Sequence, residues 1–404
     1  MCEKSADEYG IMQFIHKLTH KGDDPMKICE RAFSPLQTVG YEGAVRLCCF
    51  MRDNIIGKLS KDSFYDIYHG KKARAIYHKL TGGGGWDNAY CSIDACPYLA
   101  MGTIDQHLIE TDDLPEYPTA IELSHEEVCN YTCTFCTSRV TWRKEPPEIR
   151  QAGYENITEK LRPVLPHVKK ISAHGRGELF TAKGILKTLS EWQPLAPASE
   201  CSAALETNGS LFDEAHWKQI ENLGQYDLRV AITVTSFDDY TYKLLSGTTL
   251  PVQQVIDNLH FVKSLREKGI INHLEIATVV QERNFWQMPE FARRCVEEFG
   301  ADTVRLRPYI VHGSGDPVRD WFTDMRSATH PYREEYRKIM QDPIFQNPKV
   351  LDWGGGRDSQ TRDIIWYLAR KKPVQTLKAL FSATWDYSTH KAKALWSRLR
   401  FGKM

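Results

Sequence analysis

From about residue 117 the chain settles into a regular alternation of short β-type runs and amphipathic helical runs, an order few folds can accommodate. The β-type runs are Thr119–Ser124, Lys170–His174, Ser202–Glu206, Arg229–Thr235, His273–Val280 and Thr303–Val311. Helical patterns such as Pro251–Lys268 and Gln287–Phe299 lie between them, the second stopped by Gly300. Six strand-plus-helix units in succession predict a parallel sheet with its helices outside.

The strands also alternate internally. Ile121 and Leu123 oppose Glu122 and Ser124; Ile171 and Ala173 oppose Ser172 and His174; Leu274 and Ile276 oppose Glu275; Val304 and Leu306 oppose Arg305 and Arg307. Successive side chains leave a strand on opposite faces, so the apolar parity packs under the helices and the polar parity lines a shared interior. A complete eight-stranded barrel fills its interior with branched side chains. Six strands with a polar lining predict an α/β fold built on an open, partial (β/α)6 TIM-type barrel over residues 117–312, enclosing a polar ligand. The simpler alternative is a two-layer sheet with one wet face.

Residues 1–110 carry short apolar runs, a Gly82–Gly85 break and six cysteines, and are expected to form a small α+β unit. Residues 313–404 are expected to form a mostly helical, basic extension, with Asn347–Gly356 as loop or turn. From Arg370 on, nine Lys or Arg face Asp386 alone, interleaved with Leu, Phe and Trp. That pattern fits a solvated helix pair docked on the barrel, or a face for peripheral membrane contact. Overall, 52 basic and 52 acidic residues cancel, which argues against a general nucleic-acid binder. No apolar run reaches membrane-spanning length and the first residues lack a secretory signal, so a cytoplasmic protein is expected.

In a reducing compartment the 11 cysteines read as metal-binding or catalytic rather than as a disulfide framework. Cys129, Cys133 and Cys136 follow the first β-type run directly. Three thiolates in one short loop can hold three irons of a 4Fe–4S cluster and leave the fourth iron open; with His125 they could instead form a tetrahedral zinc site.

This Cys-x3-Cys-x-aromatic-Cys loop resembles the signature of the radical S-adenosylmethionine (SAM) superfamily. Further matches follow in order at the ends of successive strands: His174-Gly175-Arg176-Gly177-Glu178-Leu179, Glu206-Thr207-Asn208-Gly209 and Thr235-Ser236-Phe237-Asp238. The resemblance implies that Cys129, Cys133 and Cys136 bind a cluster whose open iron chelates SAM. It places Gly175, Gly177 and Glu178 at the methionine end, Asn208 and Ser236 near the ribose or carboxylate, and Phe135 by the adenine. Leu179 departs from the Pro often found after the Glu. The implied chemistry is SAM cleavage to a 5′-deoxyadenosyl radical that removes a hydrogen atom from substrate, with the protein supplying position and exclusion of water.

Cys29, then thirteen residues, Gly43, four residues and Cys48 is similar to the opening of a SPASM/twitch auxiliary-cluster domain. The strand and helix that follow there resemble Ile56–Leu59 and Phe64–Tyr68. With Cys91 and Cys96 the set reaches four thiolates, enough for an auxiliary 4Fe–4S cluster, or for zinc. Two departures stand out: such a module ordinarily follows the barrel, and its full form has seven cysteines. Cys49 is the alternative to Cys48.

Cys201 at the start of the third strand and Cys295 in an outer helix are poorly placed as hydrogen donors, which leaves Cys49 as the remaining candidate and favours net oxidation over epimerisation. The candidates to bind substrate or accept its proton are Arg305, Arg307, Glu275, His174 and Glu122, each equally able to form a structural ion pair. The expected function is oxidation (or epimerisation) of a carbohydrate or cyclitol alcohol, the second electron passing to the auxiliary cluster, with a flavodoxin- or ferredoxin-type reductant. The alternatives are maturation of a ribosomally made peptide, and a non-catalytic iron–sulfur or zinc protein that scaffolds or carries electrons.

Overall fold

The computed structural model describes residues 27–33, 35–48, 50–51, 55–81, 90–91, 96–100, 102–136, 146–173, 176–309, 317–327, 330–352 and 388. Most of the C-terminal extension, including every basic residue from Arg370 on, lies outside them. Among the described residues no helix is long and apolar enough to cross a membrane.

Among the described residues twelve strands form: β1 (Lys27–Cys29), β2 (Pro35–Val39), β3 (Ala44–Arg46), β4 (Ile55–Lys58), β5 (Leu108–Glu110), β6 (Ala120–Ser124), β7 (Lys170–Ala173), β8 (Ser202–Thr207), β9 (Asp227–Thr233), β10 (His273–Val280), β11 (Thr303–Pro308) and β12 (Val350–Asp352). β1 pairs with β5; the other ten form one sheet in the order β12-β11-β10-β9-β8-β7-β6-β2-β3-β4. The predicted strands are β6 to β11, all parallel and in sequence order. Helices Pro147–Leu161, Lys183–Glu191, Asp239–Ser246 and Val252–Glu267 connect them, as a partial barrel requires.

The apolar parity is the core: Ile121, Leu123, Ile232, Leu274, Ile276, Val304 and Leu306 are fully buried. Each such side chain contributes about 1.5–3 kcal/mol of burial free energy. On the other parity Ser172, Ala204, Glu206, Ala231, Thr233, Arg305 and Arg307 stay partly exposed. Glu122, Ser124 and Glu275 of the same parity are buried, so the inner face is polar and only partly open to solvent.

Three features differ from expectation. Val350–Asp352, expected as loop or turn, is a strand pairing parallel with β11. Three residues are too few for a period to show, and only the free edge of β11 makes them a strand. The N-terminal hairpin is not separate from the barrel: β2 pairs parallel with β6, and β3 and β4 continue the sheet antiparallel. Finally, the expected helix Gln287–Phe299 is a composite, a 3₁₀ turn at Phe285–Gln287, an α-helix at Met288–Arg293 and a π-turn at Arg294–Glu298.

The topology separates two ends. Cys129 lies just past the C-terminal end of β6. Because β2 runs parallel to β6, Cys29, before β2, lies toward the N-terminal end. β3 runs back antiparallel and delivers Cys48 there too. The two cysteine sets therefore sit at opposite ends of the lumen.

Candidate functional site

The loop carrying Cys129, Cys133 and Cys136 has no regular structure of its own and is held by its neighbours. The N–H groups of Thr132 and Thr134 donate to the carbonyls of Ser246 (3.0 Å) and Leu245 (2.9 Å), using the orphan acceptors at the end of helix Asp239–Ser246. The Thr132 hydroxyl donates to Gly247 O at 2.8 Å. Gly247 caps that helix with φ +61, and a Cβ there would strike Thr132. Asp238 starts the same helix by accepting the Thr241 N–H at 2.9 Å.

Further ties come from the next strands. Asn208 Nδ2 donates to Asn130 Oδ1 at 2.9 Å, and Asn130 Nδ2 donates to Ser210 Oγ at 2.9 Å. The hydroxyls of Tyr131 and Tyr242 are hydrogen-bonded. Arg319 donates to Thr134 O at 2.7 Å from 185 residues away. Burial pushes the Cys129 thiol up to about 11, with Glu178 and Cys136 adding to the rise and the Tyr131 N–H and Asn208 opposing it. Burial also pushes Cys133 up strongly, and its two partner cysteines add to the rise.

The Arg176-Gly177-Glu178 turn is packed onto the start of this loop. Glu178 N–H donates to Val128 O at 2.7 Å, and a Cβ on Gly177 would collide with the Val128 carbonyl. The Glu178 carboxylate is buried. It accepts from Phe180 N (3.3 Å), Thr207 Oγ1 (2.5 Å) and Asn208 N (2.7 Å). Both oxygens are thus engaged within the protein. Ser236 is fully buried and donates to Gln287 Oε1 at 2.5 Å. Phe135 is half-buried in the loop; His174 and Gly175 lie outside the described residues.

At the other end, Cys29, Cys48, Cys91 and Cys96 line one recess of about 430 Å³, its solvent-open mouth included. Arg31, Phe50, Met51 and Tyr98 share its walls. Burial raises the Cys29 thiol, with Cys96 and Glu30 adding to the rise. Burial pushes Cys91 up to about 11, with Cys96 and Cys29 adding. Cys49 lies outside the described residues. His125 is turned to β2, its Nδ1 3.0 Å from Thr38 Oγ1; burial lowers its pKa to about 3.

Between the two ends the lumen carries an ion network. Arg305 grips Glu275 with two hydrogen bonds, one of 2.6 Å, and Arg307 approaches Glu275 at 3.4 Å and Glu206 at 3.8 Å. Burial opposes the ionisation of Glu275, but the hydrogen bond and charge of Arg305 outweigh it and hold the pKa low. Arg307 Nε is buried with no hydrogen-bond partner among the described residues. Glu122 pairs with Arg31 at 3.3 Å. Beyond β10, burial pushes Glu282 up to about 7 against the opposing charges of Arg283 and Arg319.

Residues 123–295 match the family model described as the radical SAM superfamily. That segment is a radical SAM domain. Residues 29–97 match the SPASM iron–sulfur cluster-binding domain, which here precedes the radical SAM domain, as the sequence predicts. An uncharacterized protein of Methanocaldococcus jannaschii, MJ0804, is 29% identical over 133 residues, 33% of this chain; the match covers 39% of that relative's length. The crystal structure of Streptococcus suis SuiB bound to precursor peptide SuiA aligns at 14% identity over 85% of this chain and 74% of that one, with TM-score 0.39. TYW1 with a lysine-pyruvate adduct bound aligns at 15% identity over 57% and 72%, with TM-score 0.33.

The radical SAM domain brings with it a 4Fe–4S cluster and SAM, and the SPASM domain an auxiliary iron–sulfur site. The residues fit both. Among the described residues no three His, Cys, Asp or Glu side chains converge on a single ion, so the fit is judged against a larger inorganic group. Buried thiols that raise one another's pKa resist ionisation, and a bound metal cluster supplies the positive charge that thiolates there need. Arg31 and Arg319 were missed by sequence reasoning. The first carries one signal, its place two residues after Cys29; the second carries none, because its partner is a distant backbone carbonyl.

Proposed function

We propose that this chain is a radical SAM oxidoreductase that oxidises a small, polar, hydroxylated substrate, of carbohydrate or cyclitol type, held in the lumen between two iron–sulfur sites. Cys129, Cys133 and Cys136 would hold the SAM-binding cluster, and Cys29, Cys48, Cys91 and Cys96 the auxiliary one. When bound, these groups supply a 5′-deoxyadenosyl radical that takes a hydrogen atom from substrate, and an acceptor for the second electron.

The reading rests on the two cysteine sets, which lie toward opposite ends of one polar strand face, four of the cysteines lining a single recess. The chain's own residues do the rest. The turns at Gly177, Asn208 and Ser236, joined to the cysteine loop directly or through its neighbours, hold that end rigid for SAM, with Phe135 beside it. Arg305 neutralises Glu275 and fixes its position. Arg307, with an unmet Nε–H, is the donor aimed at a substrate oxygen, and Glu206 and Glu122 are the carboxylates within the same lumen. Cys201 lies buried before β8 and Cys295 in the outer π-turn. Neither lines the lumen, so oxidation is favoured over epimerisation.

The test is anaerobic reconstitution, then reduction by dithionite or a flavodoxin with SAM present. Release of 5′-deoxyadenosine, with about eight iron atoms per chain, two cubanes of four, supports the reading. A fall to about four in the Cys29→Ala, Cys91→Ala, Cys96→Ala variant assigns the auxiliary site. No 5′-deoxyadenosine from fully loaded protein would leave only a scaffold or electron carrier. Neighbouring genes give a substrate check, glycosyltransferases supporting the carbohydrate reading and a short precursor peptide opposing it.

A further inference from the structure

Arg31 belongs to both halves of the site. It lines the recess shared by Cys29, Cys48, Cys91 and Cys96, and its guanidinium sits 5.5 Å from the centre of the Phe50 ring on the same wall. Its NH2 group also reaches into the barrel and pairs with Glu122 Oε1 at 3.3 Å. Glu122 stands on the lumen face of β6, level with Gln37 of β2 and Ser172 of β7. Its side chain is 9% exposed. This ion pair is therefore the floor of the lumen and one wall of the auxiliary recess at once.

Two facts make that position matter. A guanidinium stays protonated at any working pH, so Arg31 is a fixed cation. The potential of an iron–sulfur cluster follows net charge, hydrogen bonds to sulfur and solvent exposure. A fixed cation in the recess favours the reduced, more negative cluster, and a carboxylate against that cation opposes it. Backbone N–H groups of Arg31 and Ala32 also donate to the Cys29 sulfur, so a shift of Arg31 moves a sulfur contact as well.

We propose that Arg31 sets the potential of the auxiliary site and that Glu122, from inside the lumen, controls how much of its charge that site feels. A substrate that hydrogen-bonds or ion-pairs with Glu122 draws counter-charge away from Arg31 and makes the auxiliary site a better electron acceptor. This rests on the two-cluster reading above. The bland alternative is a docking pin that fastens the N-terminal region to the barrel and leaves the potential alone.

The experiment is an anaerobic redox titration of the auxiliary cluster, followed by EPR, in the full chain carrying Cys129→Ala, Cys133→Ala and Cys136→Ala to silence the other cluster. Glu122→Gln is expected to raise the midpoint by at least a tenfold shift in the one-electron equilibrium, about 59 mV. Arg31→Gln should lower it by a similar factor, and in that background Glu122→Gln should lose more than half its effect. Arg31→Lys keeps the charge, so the comparison survives if Arg31→Gln does not fold. An unmoved midpoint with four irons in place, or an equal Glu122→Gln shift with and without the Arg31 charge, overturns the proposal alone. Absence of iron from this site in the unmutated chain overturns both the proposal and the reading beneath it.

Discussion

Asn208 donates its backbone N–H to the buried carboxylate of Glu178 at 2.7 Å, joining the turns at the ends of β7 and β8. The Asn208 side chain then reaches Asn130 in the cysteine loop. One carboxylate thus locks three segments into one rigid rim, and the rim holds the cysteine loop in place.

Removing that acceptor should be costly. Glu178→Ala leaves the N–H groups of Phe180 and Asn208 and the Thr207 hydroxyl without their partner. At about 1–3 kcal/mol for each buried group left unsatisfied, a loss of several kcal/mol is expected. Urea denaturation would show it, and equilibrium SAM binding should weaken in parallel. Unchanged stability would mean that the carboxylate is not the lock.

Gly247→Ala tests the strap beneath the cysteine loop. Its φ of +61 costs a side chain about 1 kcal/mol, and its Cβ would also strike Thr132. Gly269 has φ +74 with nothing within 4 Å of an added Cβ, so Gly269→Ala meets only the strain. Iron analysis should show loss from the Cys129 loop in the first variant and full iron in the second. Equal iron in both would exclude a role for the strap.

Arg305→Met should destabilise the fold by about 3–5 kcal/mol, because it leaves the buried Glu275 without its main partner. The double variant Arg305→Met, Glu275→Leu should recover most of that loss. Thermal unfolding of the parent, the single variant and the double variant decides it. A single variant as stable as the parent would show that Arg307 alone suffices to compensate Glu275.

Burial pushes the carboxyls of Glu126 and Glu282 up to about 7. The folded state therefore holds these protons more tightly than the unfolded chain does. The stability they confer is complete below the ordinary value of 4.5 and is lost as pH rises through about 7. The loss per group is on the order of 2–3 kcal/mol. Glu126→Gln and Glu282→Gln should each flatten the fall in stability between pH 5 and 8, measured by denaturant unfolding. A parallel curve for either variant would exclude that residue as a source.

The predicted order of parallel strands matches β6 to β11 because each carries its own period and its own turn residues. The cysteine spacings and the Glu178 and Asn208 turns were legible for the same reason: they are local. β12 was not legible, since Val350–Asp352 becomes a strand only beside β11. Nor was the direction of the Glu178 carboxylate. A Gly-Glu turn has the same sequence whether its acid faces a ligand or the protein, and the Asn208 N–H that claims it lies 30 residues on. Of the lumen residues, Arg305 and Glu275 were found by parity alone, yet parity cannot tell a paired charge from an available one.

The sequence by itself determined the class of fold, the family and the inorganic groups the chain is built to hold, since short-range periods and spacings suffice for each. Only the tertiary structure decided that the two cysteine sets face each other along one lumen. It also decided that Arg31 meets Glu122 across 91 residues and Arg319 meets Thr134 across 185. The first exists because β2 registers against β6, and the second because the segment after β11 returns to the cysteine loop. They depend on which distant segments pack together, and no local pattern carries that information.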